Sequence, residues 1–579
     1  MKRLNNRISK VAVSLSLIFI ITSCDLFDLD INNDPNNPTV VTPDLLLPTV
    51  MLDASSLFAG GINSNTHGFV GGNISSSDDY NLNTTSYNGL WEALYTGPMK
   101  DLDEVIKYTT NSGVLPKSLG VAQVLKAYYS SMMVDLWGDI PYFTAWNANN
   151  TGAPEKNPAY DNSVDIYKDC FALIDAGIAN LAIASTDPLA AGDPIYRGDV
   201  AKWTKAAWSL KLRLLVQVRK SAAFSGTVAA DIATVLTKPL ITSAADDFQF
   251  QFGKLLQPDN RHPWYQAAYT GAENGYNYFG HQMMFEMILN RDPRFPFYFK
   301  RQTTTVLDFN IPEERGTAPC TSSVGCVYGY IVLNTGSGKP LNQLQTAGII
   351  STPPTKADKD FLAGVFGRDR GDNSGVPLDG SFRTAPGVYP AGGYFDDANP
   401  TTRKVRNNGA FGNGIFPMIT ATNVKFYQIE AALMLGTAGN ARTLYESAIR
   451  GSIAKVAAFG ATLDVNSIAP TTGAIDAYVA KQMAIYDAET SNEGRLNRVL
   501  KQAWFTNFGN GFEVYNAARR TSNATIPSGY PNDLKPPLQT IRDFPFRLPY
   551  SLNELTLNSS AEAQKSVVFD KDRIFWDID

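Results

Sequence analysis

The chain has 579 residues, 44% hydrophobic and 18% charged, a balance ordinary for a globular protein. Its formal net charge of -5 supplies no basic surface and argues against a nucleic-acid partner. The three histidines, His67, His262 and His281, fall in no metal-ligand spacing and are expected to be hydrogen-bonded structural residues.

Lys2, Arg3, Arg7 and Lys10 precede an apolar run from Val11 to Ile21. A charged stretch followed by about 7–15 apolar residues is a secretory signal. It is too short for a membrane span, which takes about 20. The run ends Ile21-Thr22-Ser23-Cys24, a small residue just before a cysteine, which resembles the lipobox of bacterial lipoproteins. That resemblance implies cleavage before Cys24 and acylation of its sulfur and new amino group. One acyl chain holds only marginally, whereas several anchor firmly. No later apolar run is expected to reach spanning length. Asp25-Leu26-Phe27-Asp28-Leu29-Asp30 resembles the surface-export signal of Bacteroidetes lipoproteins, and the Asn- and Pro-rich stretch 32–38 reads as an extended tether. Residues 1–23 are thus a signal peptide, 24–42 the acylated cysteine, export segment and tether, and 43–579 the domain.

Spacings of three and four then predict helices. Trp91, Leu94, Tyr95, Leu102, Val105 and Ile106 lie near one face, and Val121, Val124, Leu125, Tyr128, Met132 and Leu136 on another. Residues 166–181 carry Cys170 as a small buried hydrophobe. Trp203, Ala206, Ala207, Leu210 and Leu214 repeat the pattern, as do 425–435, 441–456, 475–486 and 496–505. Helices in consecutive pairs suggest stacked hairpins. The scaffold therefore covers about 43–240 and 420–520. Between about 240 and 420 Gly, Pro, Asn and Asp are dense, few helices are legible, and Val327 to Leu333 reads as strand-like. Loops this long inside a compact domain are usually functional.

Sugar binding would call for an aromatic shelf edged with polar groups. Tyr80, Asn81 and Tyr87 form one candidate cluster, and Trp264, Tyr265, Tyr276 and Tyr278 another. The competing reading is that these rings pack loops onto the scaffold. Cys320 and Cys326 flank a short loop and suit a disulfide in an oxidising compartment, with two free thiols as the alternative. Asp369, Asp372, Asn373 and Asp379 offer hard oxygen ligands suited to calcium, but in no EF-hand spacing, and solvated turn residues explain them as well. No cofactor is expected. No G-x-S-x-G elbow or zinc motif occurs.

Several short motifs are spread along the chain: Trp91-Glu92-Ala93-Leu94-Tyr95, Asp135-Leu136-Trp137-Gly138-Asp139-Ile140-Pro141-Tyr142, and Asp199-Val200-Ala201-Lys202-Trp203 with Ser209-Leu210-Lys211-Leu212-Arg213-Leu214. Asp292-Pro293-Arg294, then Gly511-Phe512-Glu513 with Arg519-Arg520-Thr521, and Pro549-Tyr550 continue the series. Together they resemble the motifs of the SusD/RagB family of nutrient-binding outer-membrane lipoproteins, with Pro549-Tyr550 in the reverse of the family's order. Read physically, these are mostly fold determinants. Gly138 suits a positive φ after a helix, Pro141 stops the helix resuming, and Arg213, Arg219 and Arg294 suit bidentate carboxylate partners.

The resemblance implies a mainly α fold, a tetratricopeptide-like helical-hairpin scaffold with large irregular loop insertions and a few short strands. It also implies a non-catalytic lipoprotein at the cell outer membrane, held by its lipid and surface-exposed. Such a protein would capture a glycan or peptide and deliver it to a TonB-dependent transporter of the SusC type. A surface glycan hydrolase and a non-catalytic helical adaptor remain as alternatives. The glycan or peptide itself cannot be named from sequence.

Overall fold

The computed structural model describes residues 42–74, 80–146, 155–187, 189–270, 277–302, 325–326, 340–353, 355, 358, 365–368, 383–399, 404–521 and 543–578. The signal peptide, Cys24 and the tether lie outside these residues, as do Tyr276, Cys320, the Val327–Leu333 run and the calcium candidates Asp369, Asp372 and Asp379. Cys326 ends a two-residue strand.

The architecture is mainly helical. Helix α1 (Pro43–Leu57) runs through a π-helical turn into α2 (Asn63–Phe69). Then come α3 (Asn88–Thr96), α4 (Pro98–Ser112), α5 (Pro116–Trp137), α6 (Ser163–Leu181), α7 (Val200–Gln217) and α8 (Val228–Val235). The middle of the chain carries α9 (Pro263–Tyr269) and α10 (His281–Leu289) among short strands. The scaffold resumes with α11 (Ala421–Leu435), α12 (Ala441–Leu463), α13 (Thr472–Asp487), α14 (Asn492–Thr506) and α15 (Gly511–Thr521), and α16 (Leu552–Leu557) follows. Consecutive helices pack as hairpins: α5 on α6, α11 on α12, α13 on α14.

Most helices start a turn earlier than their apolar pattern, because polar caps set their ends. The Asn162 side chain accepts from the Val164 N–H, Asp199 from Lys202, Thr471 from Ala474 and Ser491 from Gly494. Thr420 and Asn423 cap α11 reciprocally. Each cap satisfies an N–H that the helix itself cannot.

Helix α5 is buried on nearly every side. It meets α6 at Gly120 and Gly177: a Cβ on Gly120 would stand 2.8 Å from the Gly177 carbonyl oxygen, so the backbones touch where both side chains are absent. Gly138 ends α5 at φ 83°, and the Arg547 guanidinium fills the space beside it.

Contrary to the expectation that no later run reaches spanning length, the 27-residue helix Pro43–Phe69 is long enough to span and holds an 18-residue window of mean hydropathy 1.5. Here Leu47, Val50, Met51 and Ala54 are buried in the main core, and α1 lies along α4.

Charged groups tie the two ends of the scaffold together. Asp135, fully buried on α5, accepts from Tyr167, from the Trp576 indole at 2.9 Å and from Asn516 at 2.7 Å. Arg213 on α7 lies 3.6 Å from Asp135 and donates to Glu513 on α15 at 2.5 Å. Tyr427 on α11 donates to the other Glu513 oxygen at 2.7 Å. Nearby, Glu430 accepts from Arg219 and from both arms of Arg520. The carboxylate partners expected for Arg213, Arg219 and Arg294 are all present, the last being Asp292.

Replacing Arg213 with Met strands two buried carboxylates and should cost about 3–5 kcal/mol. By contrast, Arg442→Met breaks the exposed Arg442–Asp487 pair and should leave the urea midpoint nearly unmoved. Equal midpoints for the two variants would refute the distinction.

Stability should also fall early in acid. Burial holds His67 and His262 near a pKa of about 3, against an ordinary 6.5. Both are neutral when folded and free to protonate when unfolded, so their contribution is complete above pH 6.5 and is lost as pH falls toward 3. Burial would raise Glu430, but Arg520 and Arg219 outweigh it and hold the carboxyl at about 2, so its contribution is lost only between about pH 4.5 and 2. Urea unfolding across pH should show decline beginning just below 6.5. His67→Leu should reduce that slope by roughly 1 kcal/mol per pH unit, and an unchanged slope would contradict this account.

Candidate functional site

The five described rings of the two sequence clusters are buried. Tyr80 is 4% exposed, with its hydroxyl on the Phe69 carbonyl at 3.0 Å, and Tyr87 is 2% exposed. Trp264 packs on His67, Phe279 and Phe508, and its indole donates to Ser64 at 3.2 Å. Tyr265 stacks on Tyr269 at 4.5 Å and donates to the Asn408 carbonyl at 2.6 Å. The Arg383 guanidinium covers Tyr278 at 3.7 Å. These rings pack loops onto the scaffold, while Asn81 is exposed. All three histidines are buried, and His262 caps α9 by accepting from the Trp264 N–H. Cys170 is buried and free.

A cleft of about 430 Å³ opens elsewhere, at the C-terminal end of α10. Its wall is apolar: Met287, Ile288, Phe295, Pro296 and Ile349. Arg291, Asp292, Arg301 and Asp396 supply the polar part, with Ala398 beside them. A mostly apolar concavity of this size with a few convergent polar groups is how small-ligand sites are commonly built.

The chain builds this cleft from the end of one helix. The Arg291 N–H bonds to the Ile288 carbonyl at 2.9 Å and the Asp292 N–H to Met287 at 2.8 Å. That is the Schellman pattern, in which the residue at Arg291 takes a left-handed conformation and is usually glycine. Arg291 takes it at φ 53°, and Ala398 across the cleft has φ 60°. A non-glycine residue in such a conformation costs on the order of 1–3 kcal/mol. The attraction of a cation to a helix C-terminus, about 0.3–1 kcal/mol, does not offset that. Packing around the turn holds Arg291 there regardless, and its exposed guanidinium donates to the Gly348 carbonyl at 2.8 Å.

Arg294 fixes the floor. It is fully buried and grips Asp292 through Nε at 2.9 Å and Nη2 at 2.5 Å. It also reaches Ser452 on α12, Tyr478 on α13, and Gln502 and Thr506 on α14. The Asp292-Pro293-Arg294 motif therefore bolts the turn to three scaffold helices. On the other side Arg301 donates to Asp396 at 2.7 Å, Lys300 to Asp397 at 2.6 Å, and the Asp396 N–H to the Pro296 carbonyl at 2.8 Å. Both lining carboxylates thus already serve arginines.

Sequence reasoning found Asp292 and Arg294 as a motif but missed Arg291, Arg301, Ile349 and Asp396 as neighbours. The one local signal was the polar pair Asn290-Arg291 directly after an apolar run, just where a helix should stop.

Two family models match the chain: "Starch-binding associating with outer membrane" over residues 35–314, and "Susd and RagB outer membrane lipoprotein" over residues 411–574. No curated protein matches it. Among solved structures, a Bacteroidetes SusD-like protein covers 93% of this chain and 100% of its own at 17% identity, with a TM-score of 0.65. A SusD/RagB family protein from Bacteroides thetaiotaomicron covers 93% and 99% at 16% identity, TM-score 0.63. A chitin-binding SusD homologue from Flavobacterium johnsoniae covers 93% and 97% at 16% identity, TM-score 0.58. With both halves matched by models of one kind and the fold shared along the chain, this protein belongs to the SusD/RagB family of outer-membrane lipoproteins.

Proposed function

We propose that this protein is a surface-exposed lipoprotein, anchored through Cys24, that captures a glycan or peptide and delivers it to a TonB-dependent transporter of the SusC type. The observation that carries the reading is the open cleft braced by Arg294 on a family scaffold. The lipobox and acidic export segment support the location, and chitin-binding relatives make N-acetylglucosamine oligomers a ligand class to test.

Hydrolysis of a glycan needs two carboxyl groups free to act as acid and as base or nucleophile. At the cleft Asp292 and Asp396 are each engaged by an arginine, which favours binding without turnover. Calcium at Asp369, Asp372 and Asp379 stays a separate proposal, independent of the cleft.

Detergent extraction of native membranes should bring a large barrel protein along with this chain. The mature chain should begin at Cys24 and carry several acyl chains by mass spectrometry. A wild-type chain that never co-purifies with a barrel, or a mature chain that starts elsewhere and bears no fatty acid, would sink the reading.

A further inference from the structure

The cations around the cleft divide into two kinds. Arg294 is paired with Asp292, Arg301 with Asp396, Lys300 with Asp397, and Lys501, across α10, with Glu286. Arg291 and Lys481 are different. Both are exposed, and among the described residues neither meets a carboxylate. Each donates to a main-chain carbonyl, Arg291 to Gly348 at 2.8 Å and Lys481 to Leu289 at 3.3 Å. The Lys481 ammonium thus lies on the main chain two residues before Arg291. Two cations on neighbouring stretches of main chain, with no carboxylate between them, make this edge attractive to an anion. In a chain of net charge -5 such a positive edge is local, not a general surface property.

The wall behind this edge is chiefly aliphatic. Met287, Ile288 and Phe295 are buried at 0%, 5% and 9% exposure, so the apolar surface left open is that of Ile349, Pro296 and Ala398, and no ring lies open as a platform. A sugar ring asks for an aromatic platform and many hydrogen-bonding partners, whereas this wall suits an apolar side chain. Arg291 itself occupies a left-handed position where glycine would be unstrained, so the site keeps a guanidinium at a conformational cost.

We infer that the cleft takes an apolar carboxylic acid, as a peptide offers at a C-terminal phenylalanine or leucine, with the carboxylate on Arg291 and the side chain against Ile349 and Pro296. This rests on the capture reading and specifies its ligand. Guanidinium and carboxylate match in a planar, two-bond geometry.

The test uses the full lipoprotein held in lipid nanodiscs and isothermal titration with three probes: N-acetyl-Ala-Ala-Phe as the free acid, the same peptide as its C-terminal amide, and the trisaccharide of N-acetylglucosamine. The acid should bind at least tenfold more tightly than the amide, and raising salt to 0.5 M should narrow that gap. Arg291→Asn, which tolerates the left-handed backbone, should weaken the acid about tenfold and leave the amide unchanged. The acid–amide comparison is made on the native chain and needs no variant to fold. Equal binding of acid and amide, no binding of the acid, or an Arg291→Asn protein with undiminished acid affinity overturns the inference. So does displacement of the acid by the trisaccharide with an affinity indifferent to Arg291→Asn, an outcome that leaves nutrient capture standing. Failure to co-purify with a barrel removes the capture reading and does not alter the cleft's preference between acid and amide.

Discussion

The fold depends on closing a buried ionic circuit whose members are far apart in the chain. Arg213 and Glu513 are separated by 300 residues, Asp135 and Asn516 by 381, Asp135 and Trp576 by 441. Removing these groups from water costs several kcal/mol per ion, and their mutual attraction repays it only when every partner is present. Burial pushes the Asp135 carboxyl up, and Arg213, Tyr167, Arg519 and Asn516 oppose that without cancelling it. The circuit therefore adds little net stability but makes partial assembly unfavourable. Helices α5, α6 and α7 cannot settle with their charges satisfied until α11, α15 and the Trp576 segment arrive. The chain's two halves should therefore unfold together.

The cleft inherits its rigidity from the same principle applied a second time. Arg294 plays for the middle of the chain the part Arg213 plays for the ends: one buried guanidinium collects Asp292, Ser452, Tyr478, Gln502 and Thr506. A binding site works when its first ring of residues is held by a second. Here the second ring is the helical array itself, so the end of α10 is positioned by three helices and not by its own short length.

Much of this was legible in the sequence, and the pattern of what was not is physical. The apolar stripe from Trp91 to Ile106 was legible through spacing, although Gly97 and Pro98 break it into α3 and α4, and Gly138 and Pro141 marked the end of α5 through backbone sterics. Helix starts were misplaced because Asn162, Ser491 and Thr471 are polar and carry no periodicity, though they decide where hydrogen bonding begins. Helices α9 and α10 were missed, being short and set among Gly- and Pro-rich stretches. Tyr80, Trp264 and Tyr278 looked equally suited to a ligand or to packing, because an aromatic residue in a loop-rich stretch does both. Only their burial separates the two. The cleft brings Arg291 beside Ile349 and Asp396, pairings that no local pattern encodes.

The contrast between the two classes of charge bears on what the site is for. Asp135, Arg213 and Arg294 are sealed from solvent and locked by several partners each, so they hold one geometry. Arg291 and Lys481 sit in water on single carbonyl contacts. Charges exposed in this way are screened within about 8 Å at physiological salt. They speed encounter more than they slow departure. A protein that keeps its ligand would bury these groups, whereas one that passes its ligand on needs a shaped floor and a weak, quickly exchanging rim. The strained turn at Arg291 over the floor bolted by Arg294 combines the two, which is the division of labour that the proposed capture and release would require.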